Sequence, residues 1–264
     1  MKDISFLTSK GIDVNKSLEI FGDIETYNDT VGEFLVGAKN KLEKLETYKN
    51  AQDMNNYAIY AHSLKSDARY FGFTKLYEIA YAHELKSKDK DIYYIFEHFN
   101  DLVVETNKYM EIVRQYITDD ETPEKQATIN TKSSYNSKTI LVVDDSNIVR
   151  NFVKRIFNDT YEVGTAKDGK EAIDIIEANK NNDNIVAILL DLNMPNVNGF
   201  TVLEYMKNND LLTKMPTSII SGDSTKETID KAFTYQIVDM LGKPFNELDV
   251  KRVVEKTIYF KQMN

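Results

Sequence analysis

TILVVDDS, residues 139–146, runs an uninterrupted apolar stretch directly into two carboxylates. A short run of this kind, without polar alternation, predicts a strand buried on both faces, as in parallel sheets covered by helices on both sides. The same arrangement returns downstream, where IVAILLD (185–191) is wholly apolar until Asp191. Around these two runs, helical stretches at 146–157, 169–179, 198–208, 224–234 and 246–261 alternate with the short runs YEVGTA (161–166), TSIIS (217–221) and VDML (238–241). The alternation predicts an α/β domain with a doubly wound parallel sheet of five strands. Ligands of such sheets bind beyond the C-terminal strand ends, so Asp144, Asp145 and Asp191 should converge on one crevice. One aspartate at a strand-to-helix turn commonly just caps the helix. Three from two apolar strands call for a cation, and an all-oxygen set with room for water suits Mg²⁺ (or Mn²⁺).

The pattern before residue 119 is different. Its apolar residues recur at helical spacing, and the first proline is Pro123. Helices are predicted at 24–49, 53–71, 74–87 and 90–118, preceded by a shorter one at 13–21. Short connections between long helices imply an all-α, up-and-down four-helix bundle. Between the halves, DDETPEKQATINTKSSYNS (119–137) is almost entirely polar and reads as a linker. The expected organisation is a bundle at 1–118, a linker at 119–137 and an α/β domain at 138–264.

Composition narrows the function. There are 42 acidic against 33 basic residues, a formal net charge of -9, so the mean field repels nucleic acid and anionic lipid. The chain has no cysteine, which excludes disulfides and thiolate metal sites and fits a reducing compartment. MKDISFLTSKGID lacks the apolar core of a signal peptide, and the purest apolar run, IVAILL (185–190), is too short to span a bilayer. A cytoplasmic protein without membrane insertion and without a nucleic-acid partner is expected.

In the bundle, Tyr57, Ala61, Leu64, Ala68 and Phe71 fall on one helical stripe and are assigned to the core. His62 lies roughly 140° from that stripe and is expected to face solvent beside Lys65, Ser66 and, two turns on, Arg69. A neutral imidazole nitrogen is a good nucleophile near neutral pH, and flanking cations would hold phosphoryl oxygens. His83 and His98 belong to no such group and are expected at the surface or half-buried. The tyrosines at 57, 60, 70, 77 and 81 are read as packing rather than as a ligand groove.

ILVVDDS, LLDLNMPNVNGF, IISG and GKPF, in this order and at strand ends, resemble the receiver (flavodoxin-like) domains of bacterial response regulators. The resemblance spans about residues 138–264 and implies Asp191 as phosphoacceptor, Asp145 as a direct Mg²⁺ ligand and Asp144 as its partner through water. It further implies Asn193 as a ligand through its backbone carbonyl, Ser221 against the phosphoryl group, Lys243 as its ion-pair partner, and a cis Lys243–Pro244 bond. Two positions depart from the pattern: Met240 stands where an aromatic switch residue is usual, and Gly222 where alanine is usual. AHSLKSDARYFGFTKLYEIAYAHELK (61–86) resembles the helix pair of histidine phosphotransfer (HPt) domains, with His62 as phosphoacceptor, Lys65 beside it and Gly72 near the helix end. Asp67 is a departure there, expected to weaken the local cation field.

Together the two resemblances imply a phosphorelay intermediate, a transfer protein rather than an enzyme, with sensor histidine kinases or other relay proteins as partners and receiver-mediated dimers as an option. No ATP-binding loop is visible. The alternatives are a binding module that recruits a partner through the phosphorylated receiver, or a phosphate sink in which Asp191 hydrolyses quickly.

Overall fold

The computed structural model describes residues 3–118, 138–223 and 225–263; the expected linker at 119–137 lies outside them. The N-terminal half consists of α1 (Ile4–Ser9), α2 (Val14–Phe21), α3 (Ile24–Val31), α4 (Glu33–Asn50), α5 (Met54–Tyr70), α6 (Thr74–Lys88) and α7 (Ile92–Ile117). Asp3, Asp13, Asp23, Asp53 and Asp91 start α1, α2, α3, α5 and α7, each side chain accepting a first-turn N–H that the helix cannot satisfy itself. The bundle is α4–α7: α5 lies between α4 and α6, and α7 closes the ring against both. The stripe Tyr57, Ala61, Leu64, Ala68 and Phe71 is fully buried, as expected.

The structure corrects three local expectations. The helix predicted at 24–49 is broken at Gly32 into α3 and α4, where glycine weakens helix continuity and α3 turns to pack on the C-terminal half. Tyr81 is exposed rather than core, whereas Tyr57 and Tyr70 are fully buried. His83, expected at or near the surface, is fully buried and lies with Nδ1 2.8 Å from the Tyr57 hydroxyl.

Burial pushes the His83 imidazole down to about 4. Between its ordinary value of 6.5 and this value, the unfolded chain takes up a proton that the folded chain refuses. Stability is therefore complete above that window and falls as pH is lowered through it, by up to about 3 kcal/mol for this group. Urea midpoints of wild type and His83→Gln at neutral and acid pH check this: the variant should lack that part of the acid slope, and parallel slopes would refute it.

The C-terminal half comprises β1 (Thr139–Val143), α8 (Asn147–Phe157), β2 (Glu162–Ala166), α9 (Gly169–Asn179), β3 (Ile185–Asp191), α10 (Gly199–Asn208), β4 (Thr217–Ser221), α11 (Lys226–Phe233), β5 (Met240–Gly242) and α12 (Glu247–Met263). The strands are parallel in the order β2-β1-β3-β4-β5, so β3 with Asp191 sits between β1 and β4. Strand alternation sorts the sheet into two cores: Ile140, Val142, Leu189 and Ile220 pack with α8 and α12, while Leu141, Val143, Ile188 and Ile219 pack with α9, α10 and α11.

The first of these cores continues into the helical bundle. Phe21 meets Phe152 edge-on at 5.6 Å between centroids, and Tyr70 meets Phe245 edge-on at 6.1 Å. Polar pairs rim this contact: Arg155 with Asp29 at 2.5 Å, and the Asn151 amide donating to Glu33 at 2.7 Å. The helical half therefore lies against the sheet domain, with α5 over the C-terminal strand ends.

Candidate functional site

Asp144 and Asp145 follow β1, Asp191 ends β3, Ser221 ends β4 and Lys243 follows β5, so adjacent strands deliver all five to one crevice. Asp144, Asp145 and Asp191 each place a carboxylate oxygen within 4.8 Å of the others. The Lys243 ammonium lies 2.6 Å from Asp144 and 2.5 Å from Asp191, and the Lys243–Pro244 bond is cis. Backbone N–H groups orient the carboxylates: Asn193 N–H donates to Asp191 at 3.0 Å, and Ser146 N–H to Asp144 at 2.9 Å. Burial pushes the Asp144 carboxyl up to about 7, with the Lys243 charge pulling down and the Asp191 and Asp145 charges pushing up. The donor set is all oxygen and clustered, which suits a hard divalent cation that keeps part of its water shell.

The expectation that His62 faces solvent is overturned: it is only 4% exposed. A helical stripe identifies which residues turn away from their own bundle, but not what another part of the chain lays over them. Here the cover is the sheet domain. An ideal Cβ built on Gly222 would lie 2.7 Å from His62 Nε2, and the neighbouring Ser63 hydroxyl donates to Asp145 at 2.5 Å. Thus two consecutive residues of α5 straddle the crevice, His62 at the β4 loop and Ser63 at the β1 loop, with Asp191 on the strand between. Lys65 and Ser66, expected to be exposed, are buried as well.

On its other edge the His62 ring meets Glu84 of α6, Nδ1 to Oε1 at 2.9 Å. Lys65 lies 2.6 Å from the second Glu84 oxygen and Lys88 2.7 Å from the first. Burial alone would raise the Glu84 carboxyl, but the hydrogen bond and charge of His62, together with Lys65, hold it well below the usual carboxylate range. An ionised Glu84 accepts, so Nδ1 carries a proton, and Nε2 is the ring nitrogen turned toward Gly222. Among the described residues, that Nε2 is buried without a hydrogen-bond partner.

Residues 140–255 match the response regulator receiver domain family, and residues 29–106 match the Hpt domain family. The chain joins an Hpt domain to a receiver domain. Among similar proteins are the two-component response regulator ORR3 of Oryza sativa subsp. indica, 28% identical over 45% of this chain and 89% of that protein, and the CAI-1 autoinducer sensor kinase/phosphatase CqsS of Vibrio cholerae, 31% identical over 43% of this chain and 16% of that protein. A response regulator receiver domain protein of Clostridium thermocellum has a similar solved structure, 25% identical, with a TM-score of 0.43 over 47% of this chain and 97% of that one. With both domains in one chain, the protein is a phosphorelay component. No helix among the described residues is long and apolar enough to cross a membrane.

The three departures from the family patterns can each be placed in the structure. Asp67 of the Hpt domain does not act as a loose negative charge near His62: it pairs with the buried Lys41 and accepts from the receiver's Ser146 hydroxyl at 2.9 Å. Gly222 touches the His62 ring. Met240 packs beside the core on the α9–α11 side and brings no hydroxyl to Ser221, whose Oγ accepts the Asp223 N–H at 3.1 Å. Glu84 was not singled out from sequence. A signal for it exists: α5 and α6 form an antiparallel hairpin about Phe73, and positions 62 and 84 are equidistant from that turn.

Gly72 shapes that hairpin. Its φ is +69°, and a Cβ there would lie 2.3 Å from the Asp13 carbonyl oxygen, so neither the backbone nor the space accepts a side chain.

Proposed function

We propose that the protein is a phosphorelay intermediate whose Asp191 and His62 exchange a phosphoryl group within one chain. The observation that carries this is the placement of α5 across the receiver crevice, with His62 and Ser63 contacting the loops on either side of the Asp191 strand. Asp144, Asp145, Asp191 and the Asn193 carbonyl would hold Mg²⁺. When bound, the ion supplies cationic stabilisation of the equatorial phosphoryl oxygens.

The chain's own groups do the rest. Asp191 offers a carboxylate oxygen as nucleophile toward a donor and as leaving group toward His62. Lys243, 2.5 Å away, holds a cation against that oxygen in both directions. The His62 Nε2 lone pair attacks phosphorus while Nδ1–H remains on Glu84, whose charge stabilises the positive ring. Lys65 lies beside the same carboxylate.

In this closed arrangement Asp191 is 1% exposed, so a protein donor must displace the Hpt domain before reaching it. A cleft of about 410 Å³, lined by Asp145, Lys41, Arg150 and Lys167 among others, leads toward the site and suits a small phosphodonor. Sensor kinases or other relay proteins are the proposed partners, and the chain is proposed to transfer rather than turn over substrate.

Tethering should make transfer independent of concentration. Wild type with acetyl phosphate and Mg²⁺ is compared, over serial dilution, with a mixture of His62→Ala and Asp191→Ala chains. Base-labile acyl phosphate and acid-labile phosphohistidine report the two sites. Wild type should fill His62 at a concentration-independent rate while the mixture slows on dilution. A mixture that keeps pace with wild type would sink the proposal.

A further inference from the structure

Gly222 has no conformational reason to be glycine: its φ lies outside the left-handed region. It has a spatial one. A Cβ would sit 2.7 Å from His62 Nε2 and 2.8 Å from Cε1, closer than carbon and nitrogen in contact allow. The ring is confined on its far edge by Glu84 at 2.9 Å, and Glu84 is tied to Lys65 and Lys88. A methyl group at 222 therefore pushes the imidazole out of its present place, and the atom pushed first is Nε2.

We infer that Gly222 is a positioning residue for transfer between the two domains: its missing side chain is the seat in which the His62 ring rests over the receiver crevice. This rests on the relay proposed above and adds a determinant of which Hpt domain the receiver accepts. In the transfer step the bond between phosphorus and the Asp191 oxygen breaks, its electron pair returning to the carboxylate beside Lys243. A bond from phosphorus to His62 Nε2 forms, and the proton stays on Nδ1 against Glu84. The step needs Nε2 about 3–3.5 Å from phosphorus and in line, and displacement of a reacting atom by about 1 Å costs on the order of a hundredfold. Phosphorylation of Asp191 by a small donor makes no use of the imidazole, so a side chain at 222 should separate the two steps.

The test uses the full-length chain as wild type, Gly222→Ala, Gly222→Val and, as control, Gly242→Ala, where a Cβ meets nothing within 4 Å. Two quantities are read: Asp191 and His62 labelling from acetyl phosphate with Mg²⁺, and the His62 ring NMR signal without phosphodonor. In Gly222→Ala, Asp191 labelling should match wild type, passage to His62 should slow about 10- to 100-fold, and the ring signal should shift. Gly222→Val should be slower still, and Gly242→Ala should leave passage and ring signal as in wild type. A general loss of structure would instead lower both labelling steps together and overturn the inference. So would a Gly222→Ala chain with the wild-type ring signal, whatever its transfer rate. If wild type never labels His62 but the ring signal shifts in Gly222→Ala, the seat stands and the internal relay falls.

Discussion

Lys243→Ala should lose about 3–5 kcal/mol of stability at neutral pH without divalent cations, and slow Asp191 phosphorylation by a small donor by about 10²- to 10³-fold. The Lys243 ammonium lies 2.6 Å from Asp144 and 2.5 Å from Asp191, with all three groups buried. Burial works against its charge, but the Asp144 and Asp191 carboxylates hold it protonated well above the ordinary lysine range. Removing it leaves carboxylates facing each other in a site that water reaches poorly.

They can be relieved in two ways, each with a definite sign. Asp144, already pushed up to about 7 by burial, can take a proton, so the variant's deficit should shrink as pH falls and grow as pH rises. A divalent cation can replace the lost charge, so millimolar Mg²⁺ should recover part of the stability by binding only the folded chain. Denaturant midpoints at two pH values, with and without Mg²⁺, together with the labelling rate, check these outcomes. An unchanged midpoint with unchanged labelling would mean that the ammonium has no part in holding the cluster.

Glu84→Ala should slow passage from Asp191 to His62 by about a hundredfold, and Glu84→Gln by about tenfold, while Asp191 labelling stays as in wild type. The alanine variant removes both the acceptor that keeps the proton on Nδ1 and the charge that stabilises the ring as the P–N bond forms. The glutamine variant keeps an acceptor and loses only the charge. Ring ¹⁵N shifts separate this from a packing defect: wild type should show the Nδ1–H tautomer, and Glu84→Ala a mixture or the reverse. Retention of the wild-type tautomer with passage within about twofold of wild type would show that Glu84 does not set the nucleophile.

Much of this site is legible in the sequence. Asp144, Asp145 and Asp191 stand at the ends of short apolar runs, and a parallel sheet delivers strand ends to one edge, so sequence order sufficed to bring them together, while Ser221 and Lys243 were placed beside them by the resemblance to receiver domains. The bundle was legible for a similar reason, since a stripe such as Tyr57, Ala61, Leu64, Ala68 and Phe71 must find apolar cover. Gly32 and His83 were misread because helix continuity and histidine burial depend on neighbours far along the chain.

The face around His62 marks where local patterning stops. His62, Ser63, Lys65, Ser66 and Asp67 are polar, and a polar helix face reads the same whether water or another domain covers it. Periodicity reports which side of a helix faces its own core, a property of residues a few positions apart. Which surface covers the opposite side depends on long-range packing, here Phe21 on Phe152, Tyr70 on Phe245 and Asp67 on Ser146. The sequence alone determined the two domains, their order and the acidic crevice, because each follows from short-range patterns of burial and charge. Only the tertiary structure decided that the histidine lies buried over that crevice, with Glu84 behind it and Gly222 in front, because those contacts join residues that no local pattern relates.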